Sequence, residues 1–130
     1  MSRILLQLKY TFNCNPGDLF FALHNPQTMQ NWLAEKVTFN SRTKIYTFHW
    51  SDTQESARII EKDDKLGYIK WEWIDGDDHL PGEYVSYRLG EPDDDWYLDL
   101  YIDDFCEEAE VDSQKEGWNR LMERLELAHR

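Results

Sequence analysis

Two Asn-Pro pairs lie close together in residues 15–33, which read NPGDLFFALHNPQTMQNWL. An asparagine just before a helix accepts hydrogen bonds from backbone amides that have no partner inside the helix. Proline suits the first helical position, because the N–H that it lacks would have no partner there. Apolar residues follow both pairs at helical spacing. The segment therefore predicts two short helices, at about 16–24 and 26–33, joined by a tight corner.

Strand patterns lie on both sides of these helices. Apolar and polar residues alternate from Ile4 to Phe12, which is the period of a half-buried strand. From Glu35 onward the strand period returns, interrupted by polar turns. The alternation is clearest in residues 44–50, 55–61, 66–74, 84–89 and 96–102. We expect six strands after the helices, and strands at such short spacing favour an antiparallel meander.

A long helical pattern follows the last strand. Ser113 and Glu116 have the spacing of a capping box, in which each side chain bonds the other residue's backbone amide, so the helix is expected to begin there. Apolar residues then recur at helical intervals: Trp118, Leu121, Met122, Leu125 and Ala128. This spacing predicts a helix with a single apolar stripe.

Length and charge exclude several classes of protein. A chain of 130 residues fits one domain, 1–130, and its 6 Trp, 7 Tyr and 6 Phe argue against disorder. The formal net charge of −12 disfavours nucleic acid and anionic membrane surfaces as partners, since both attract basic proteins. No apolar run approaches the ~20 residues of a membrane span. The two cysteines are too few for a disulfide framework, so we expect a cytoplasmic location.

Three motifs resemble those of one protein family. Residues 18–26 (DLFFALHNP) with Trp32, residues 69–73 (IKWEW), and residues 98–105 (LDLYIDDF) with the later Gly117-Trp118 pair are similar to patterns of the activator-of-Hsp90-ATPase-homologue-like domains. These domains belong to the START-like, Bet v 1-like superfamily. The resemblance implies an α+β helix-grip fold. In that fold, two short helices follow the first strand, and a curved antiparallel sheet of about seven strands wraps a long carboxy-terminal helix.

A helix-grip fold can leave a cavity between the sheet and the long helix. Its walls would be the inward-facing residues Phe48, Trp50, Trp71, Trp73, Tyr87, Leu98 and Leu100, with Trp118 and Met122 from the helix. Six tryptophans are more than a filled core needs, and Trp and Tyr each carry a polar atom that seeks a partner. An apolar pocket with a few polar atoms suits a small hydrophobic or amphipathic ligand. We therefore expect non-catalytic ligand binding, and the alternative is a solid core built from the same rings.

Candidate catalytic and metal-binding groups are few. The sequence lacks the common motifs of nucleophilic, nucleotide and zinc-protease chemistry. Its histidines share no strand face, so we expect neither a metal nor another cofactor. Asp104 is in phase with the apolar residues of the last strand, and a buried acid there can act as a general base. An enzyme acting on an apolar substrate therefore remains an alternative, and the family resemblance implies that it would be of the polyketide-cyclase type. We nevertheless interpret Asp104 as a corner or loop acid.

Acidic residues are expected to crowd one end of the sheet. The set comprises Asp75, Asp77, Asp78, Asp103, Asp104, Glu107, Glu108, Glu110 and Asp112. We call this set the acidic rim. It suggests a further alternative, a protein-interaction domain whose acidic rim binds a basic protein partner, and the family resemblance implies that such a domain would be a chaperone accessory. The favoured interpretation is a solvated surface that maintains solubility.

Overall fold

A computed structural model describes residues 2–74 and 82–128 of the chain. Its elements, in order, are β1 (Arg3–Asn13), α1 (Pro16–His24), α2 (Pro26–Met29), β2 (Lys36–Asn40), β3 (Ile45–His49), β4 (Gln54–Asp63), β5 (Tyr68–Trp73), β6 (Tyr84–Leu89), β7 (Tyr97–Glu107), a 3₁₀ turn (Glu108–Glu110) and α3 (Val111–Ala128).

The strands form one antiparallel sheet in the order β1-β7-β6-β5-β4-β3-β2. Strands β2 to β7 therefore make the predicted meander, and β1 pairs with β7 along its whole length, from Arg3 opposite Glu107 to Asn13 opposite Tyr97. A register shift between Ile59 and Glu61 interrupts the pairing of β4 with β5, and irregularities of this kind bend a sheet. The predicted α+β helix-grip architecture is confirmed.

Both predicted helix starts are present. The Asn15 side chain accepts hydrogen bonds from the amides of Gly17 and Asp18, at 2.8 and 3.3 Å, and Asn25 does the same at the start of α2. Helix α2 is shorter than predicted, because the chain curls around the carbonyl of Met29, which accepts from three successive amides at residues 32–34. This turn buries Trp32, whose indole nitrogen donates to the carbonyl of Ala22 at 3.0 Å.

The other end of the sheet corrects two predictions. Strand β7 runs to Glu107 rather than ending at residue 102, because its last five residues pair with the first five of β1. Helix α3 then begins at Val111, directly after the 3₁₀ turn. Ser113 therefore lies inside the first turn of α3, and the predicted capping box does not mark the start of the helix.

The core is an apolar cluster between the concave face of the sheet and the helices. Tyr46, Phe48 and Trp71 pack with ring centroids 5.6–5.7 Å apart, and Tyr87 meets Trp71 edge to face at 5.1 Å. All four side chains are fully buried. These rings interlock, so this part of the interior is solid, and any ligand must occupy space beside it.

Candidate functional site

A cavity of about 380 Å³ lies between α3 and the sheet. The sheet side contributes apolar walls from Trp50, Trp71, Trp73, Val85 and Tyr87, with the carboxylates of Glu55 and Asp104. The helix side contributes Gln114, Gly117, Trp118, Arg120, Leu121 and Arg124, and Leu33 adds one more apolar contact. We call this space the α3 cavity.

The structure divides the residues predicted to bind a ligand into two groups. Five of them line the α3 cavity: Trp50, Trp71, Trp73, Tyr87 and Trp118. The other four are buried in the core and do not line it: Phe48, Leu98, Leu100 and Met122. The alternation of strand residues selected the concave face of the sheet, but it did not show which part of that face α3 covers. The role of the five lining residues in binding stays a prediction.

The tryptophans of the cavity are held by different means. The Trp50 indole nitrogen donates to the carbonyl of Leu33 at 3.0 Å, which ties the end of β3 to the segment after α2. The Trp118 indole nitrogen donates to Asp104 Oδ2 at 2.8 Å. These bonds fix two rings on opposite sides of the cavity, so both walls are preorganised.

Asp104 joins the sheet to α3. It is a residue of β7, only 5% exposed, and lies opposite Leu6 of β1. Its carboxylate accepts from the Gln114 side chain at 2.7 Å, from Trp118 at 2.8 Å and from the backbone amide of Phe105 at 2.8 Å. The interpretation of Asp104 as a corner or loop acid is therefore wrong. The strand continues past it, and the alternation turns its carboxylate inward.

Two polar atoms in the cavity walls have no hydrogen-bond partner within the described residues. They are Trp71 Nε1 and Tyr87 Oη, and both side chains are almost completely buried. Burial raises the pKa of the Tyr87 hydroxyl well above its ordinary value, and the nearby Asp104 carboxylate raises it further. The hydroxyl is therefore neutral and can donate a hydrogen bond. A buried polar group without a partner is costly, so such groups call for an explanation.

Gly117 opens the helix side of the cavity. It lies in the interior of α3, where glycine destabilises a helix by roughly 0.5–1 kcal/mol relative to alanine. A Cβ at this position would meet no heavy atom within 4 Å. Packing therefore does not require glycine here, and its effect is to widen the cavity beside Trp118.

Two arginines stand at the opening of the cavity. Arg120 and Arg124 are exposed, line the cavity and lie one helical turn apart on α3. Neither forms an ion pair within the described part of the chain. Sequence reasoning placed neither arginine at the cavity, and it used Gly117 only as part of the Gly117-Trp118 motif, because the sequence does not show what these helix positions face.

The described part of the acidic rim differs from the expected arrangement. Asp104 points into the cavity, and Asp75, Asp77 and Asp78 lie outside the described residues. Arg3 bonds Glu83 through its Nε at 2.9 Å, and its guanidinium also approaches Glu107 at 3.6 Å. At this end of the sheet a basic side chain therefore offsets part of the acidic charge.

The described residues give no indication of two other kinds of site. They contain no group of three or more His, Cys, Asp or Glu side chains arranged to hold a metal ion. Among them, no helix has the length and apolar character needed to cross a membrane.

Comparison with known proteins finds a family match over nearly the whole chain. The family model of the START-like superfamily domain matches residues 1–128. No curated protein matches the sequence.

Solved structures share the fold at low sequence identity. An uncharacterized protein of Bacillus thuringiensis is 9% identical with a TM-score of 0.81, and the match covers 97% of this chain and 98% of that one. The Aha1 dimer from Colwellia psychrerythraea is 12% identical with a TM-score of 0.74, over 97% and 96%. DynU16, a protein of the dynemicin biosynthetic locus, is 15% identical with a TM-score of 0.73, over 94% of this chain and 45% of its own. At such identities the likeness shows the fold alone.

Proposed function

The chain belongs to the START-like superfamily, a fold that commonly binds hydrophobic ligands, and on that basis we propose that it binds a small apolar or amphipathic molecule in the α3 cavity. The proposed role is binding without chemistry. The ligand would lie between the tryptophans of the sheet and the face of α3 that carries Gly117 and Trp118.

The observation that carries the proposal is the α3 cavity together with the two unpartnered atoms in its walls. Trp71 Nε1 and Tyr87 Oη are buried next to about 380 Å³ of space. Hydrogen-bond acceptors on a ligand would supply the partners that these two donors lack among the described residues. Gly117 supports the same interpretation, since it gives up helix stability at a position where a side chain would occupy the cavity.

The size and lining of the cavity restrict the ligand. Since a water-sized group takes ~30 Å³, the space holds roughly a dozen non-hydrogen atoms. Aromatic walls favour a flexible chain or a flat ring system, because both make extensive contacts with indole faces. We expect a fatty acid of medium length or a two-ring compound.

A pair of helix variants tests the proposal. In Gly117→Leu the new side chain extends into the α3 cavity, whereas in Glu116→Leu it lies on an exposed part of the same helix. A panel of medium-chain fatty acids and two-ring aromatic compounds is titrated while tryptophan fluorescence and the thermal midpoint are recorded. We expect at least one compound to bind the wild type and Glu116→Leu but not Gly117→Leu. Equal binding to all three proteins, or no binding to any of them, would refute the proposal.

The hydrogen bonds of Asp104 weigh against the enzymatic alternative. A general base needs a free oxygen within reach of the substrate proton. Three donors already occupy the Asp104 carboxylate, which favours a role in holding Trp118 and Gln114 in position. The unpaired thiols of Cys14 and Cys106 fit a reducing compartment, so we also propose a cytoplasmic location.

A further inference from the structure

Arg120 and Arg124 are unusual among the charged residues of α3. Like charges one turn apart on a helix repel each other, and both line the opening of the α3 cavity. Glu116 and Glu123 lie close to Arg120 in the sequence, yet neither forms an ion pair with it in the described structure. Two guanidinium groups without a carboxylate partner among the described residues therefore lie at the entrance to an apolar space.

We propose that the ligand of the α3 cavity is an anionic amphiphile whose oxygen-rich head group binds Arg120 and Arg124. This inference rests on the proposed function and adds the charge and the orientation of the ligand. The apolar part of the ligand would lie against Trp50 and Trp73, a hydrogen-bond acceptor along it would face Trp71 Nε1 and Tyr87 Oη, and the charged head would remain at the opening. Arginine suits this role because its planar guanidinium donates paired hydrogen bonds to a carboxylate or a similar oxyanion.

The two carboxylates in the cavity do not cancel this preference. Asp104 is already bonded by Gln114, Trp118 and the amide of Phe105. Glu55 lies on the sheet side, whereas the two arginines extend from α3. A head group held on the helix side therefore lies nearer to the guanidinium groups of Arg120 and Arg124 than to the carboxylate of Glu55.

The net negative charge of the chain does not prevent an anionic head group from binding at the opening. The formal net charge of −12 repels anions at long range. At physiological ionic strength, however, charges more than about 8 Å apart in solvent are largely screened. Direct contact with two arginines therefore decides the sign of the interaction at the opening.

Three ten-carbon ligands with different head groups test the proposal: decanoate, decyl sulfate and 1-decanol. Affinities for the wild type are measured by isothermal titration calorimetry below the concentrations at which micelles form. We expect one or both anions to bind at least about tenfold more tightly than 1-decanol, the difference typical of hydrogen bonds to charged groups. The anion that binds better shows whether the site prefers a carboxylate or a sulfate, and either result supports the proposal.

Charge-matched variants separate local contact from net charge. Arg120→Gln/Arg124→Gln removes the pair at the opening, and Arg42→Gln/Arg58→Gln removes two exposed arginines elsewhere. Only the first variant should lose the preference for anions, and its affinity for 1-decanol should not change. Equal affinity of the wild type for all three ligands would overturn this inference and leave the proposed function standing. If no ligand binds even the wild type in this assay or in the broader panel, the proposed function itself fails.

Discussion

Tyr46 and Tyr87 are two buried tyrosines whose rings both pack against Trp71. The Tyr46 hydroxyl donates to the carbonyl of His24 at 2.5 Å, whereas the Tyr87 hydroxyl has no partner among the described residues. Burial raises the pKa of both hydroxyls, so both are neutral. The pair therefore offers a comparison of two buried tyrosines, of which only one has a hydrogen-bond partner among the described residues.

Replacing each tyrosine by phenylalanine should change stability in opposite directions. In the ligand-free protein, Tyr87→Phe should raise the free energy of unfolding by about 1 kcal/mol, because it removes a buried hydroxyl without a partner. Tyr46→Phe should lower it by about 1 kcal/mol, because it leaves the His24 carbonyl without its donor. Urea unfolding followed by circular dichroism measures both. A loss of stability in Tyr87→Phe would show that its hydroxyl is bonded in solution.

At the residue scale, the sequence predicted the aromatic walls of the cavity better than its polar atoms. Alternation along β5 assigned Trp71 and Trp73 to the concave face, and that assignment depends only on the period of a strand. Arg120 and Gly117 gave no such signal, since their position relative to the cavity depends on the rotation of α3 about its axis. That rotation is set by the packing of Trp118, Met122 and Leu125 together.

The helix starts differ in how well the sequence predicted them, because the asparagine caps are present and the predicted capping box of α3 does not mark its start. The Asn15 side chain bonds two amides at the start of α1. Ser113 lies within α3, where the preceding 3₁₀ turn leads directly into the helix. Sequence predicted both caps from the same chemistry. The second failed because the residues before Ser113 continue the helical path instead of leaving it.

Alanine substitutions at these two positions should therefore differ in effect. Asn15→Ala should lower the free energy of unfolding by about 1 kcal/mol, the usual cost of losing an amino-terminal cap. Ser113→Ala should change it by less than about 0.5 kcal/mol, as expected for an exposed helical residue. Chemical denaturation of both variants measures the difference. Equal losses would indicate that Ser113 does cap α3 in solution.

Gly117 allows a direct measurement of how much stability α3 loses by having a glycine at the cavity. Gly117→Ala should raise the free energy of unfolding of the ligand-free protein by about 0.5–1 kcal/mol, because alanine favours the helix and its Cβ meets no atom within 4 Å. Glu116→Ala on the exposed side of α3 serves as the control and should have little effect. The thermal midpoint of each variant is measured without ligand. A lower midpoint for Gly117→Ala would mean that α3 lies closer to the sheet than the structure shows.

For the molecule as a whole, the fold was easier to predict than the cavity. Strand order follows from the short turns between consecutive strands. The Asn-Pro pairs at Asn15 and Asn25 predicted the starts of α1 and α2. The cavity depends instead on the gap left between α3 and the sheet after every buried side chain has packed. Interlocked rings such as Phe48 and Trp71 fill one part of the interior, whereas the part beside Gly117 stays open. No local pattern encodes that difference.

The net charge makes the stability of the whole molecule sensitive to salt. The formal net charge is −12, so the excess negative side chains repel one another in the compact folded state. In ~0.01 M salt the screening length is about 30 Å. A folded chain of this size has a radius of gyration of roughly 14 Å. Charges across the whole molecule therefore interact at low salt. In ~0.15 M salt only charges within about 8 Å interact strongly. The bond between Arg3 and Glu83 is mostly buried, so added salt should weaken it little.

Raising NaCl from ~0.01 M to ~0.15 M should therefore raise the thermal midpoint by a few degrees, on a scale where 1 kcal/mol corresponds to about 4 °C. A variant with fewer exposed acids, Glu91→Gln/Asp94→Asn/Glu123→Gln, should show a smaller rise, because less repulsion remains to be screened. Differential scanning calorimetry at fixed pH measures both proteins. A midpoint that falls with salt would mean that attractive ion pairs, rather than net repulsion, dominate the electrostatic energy of the fold.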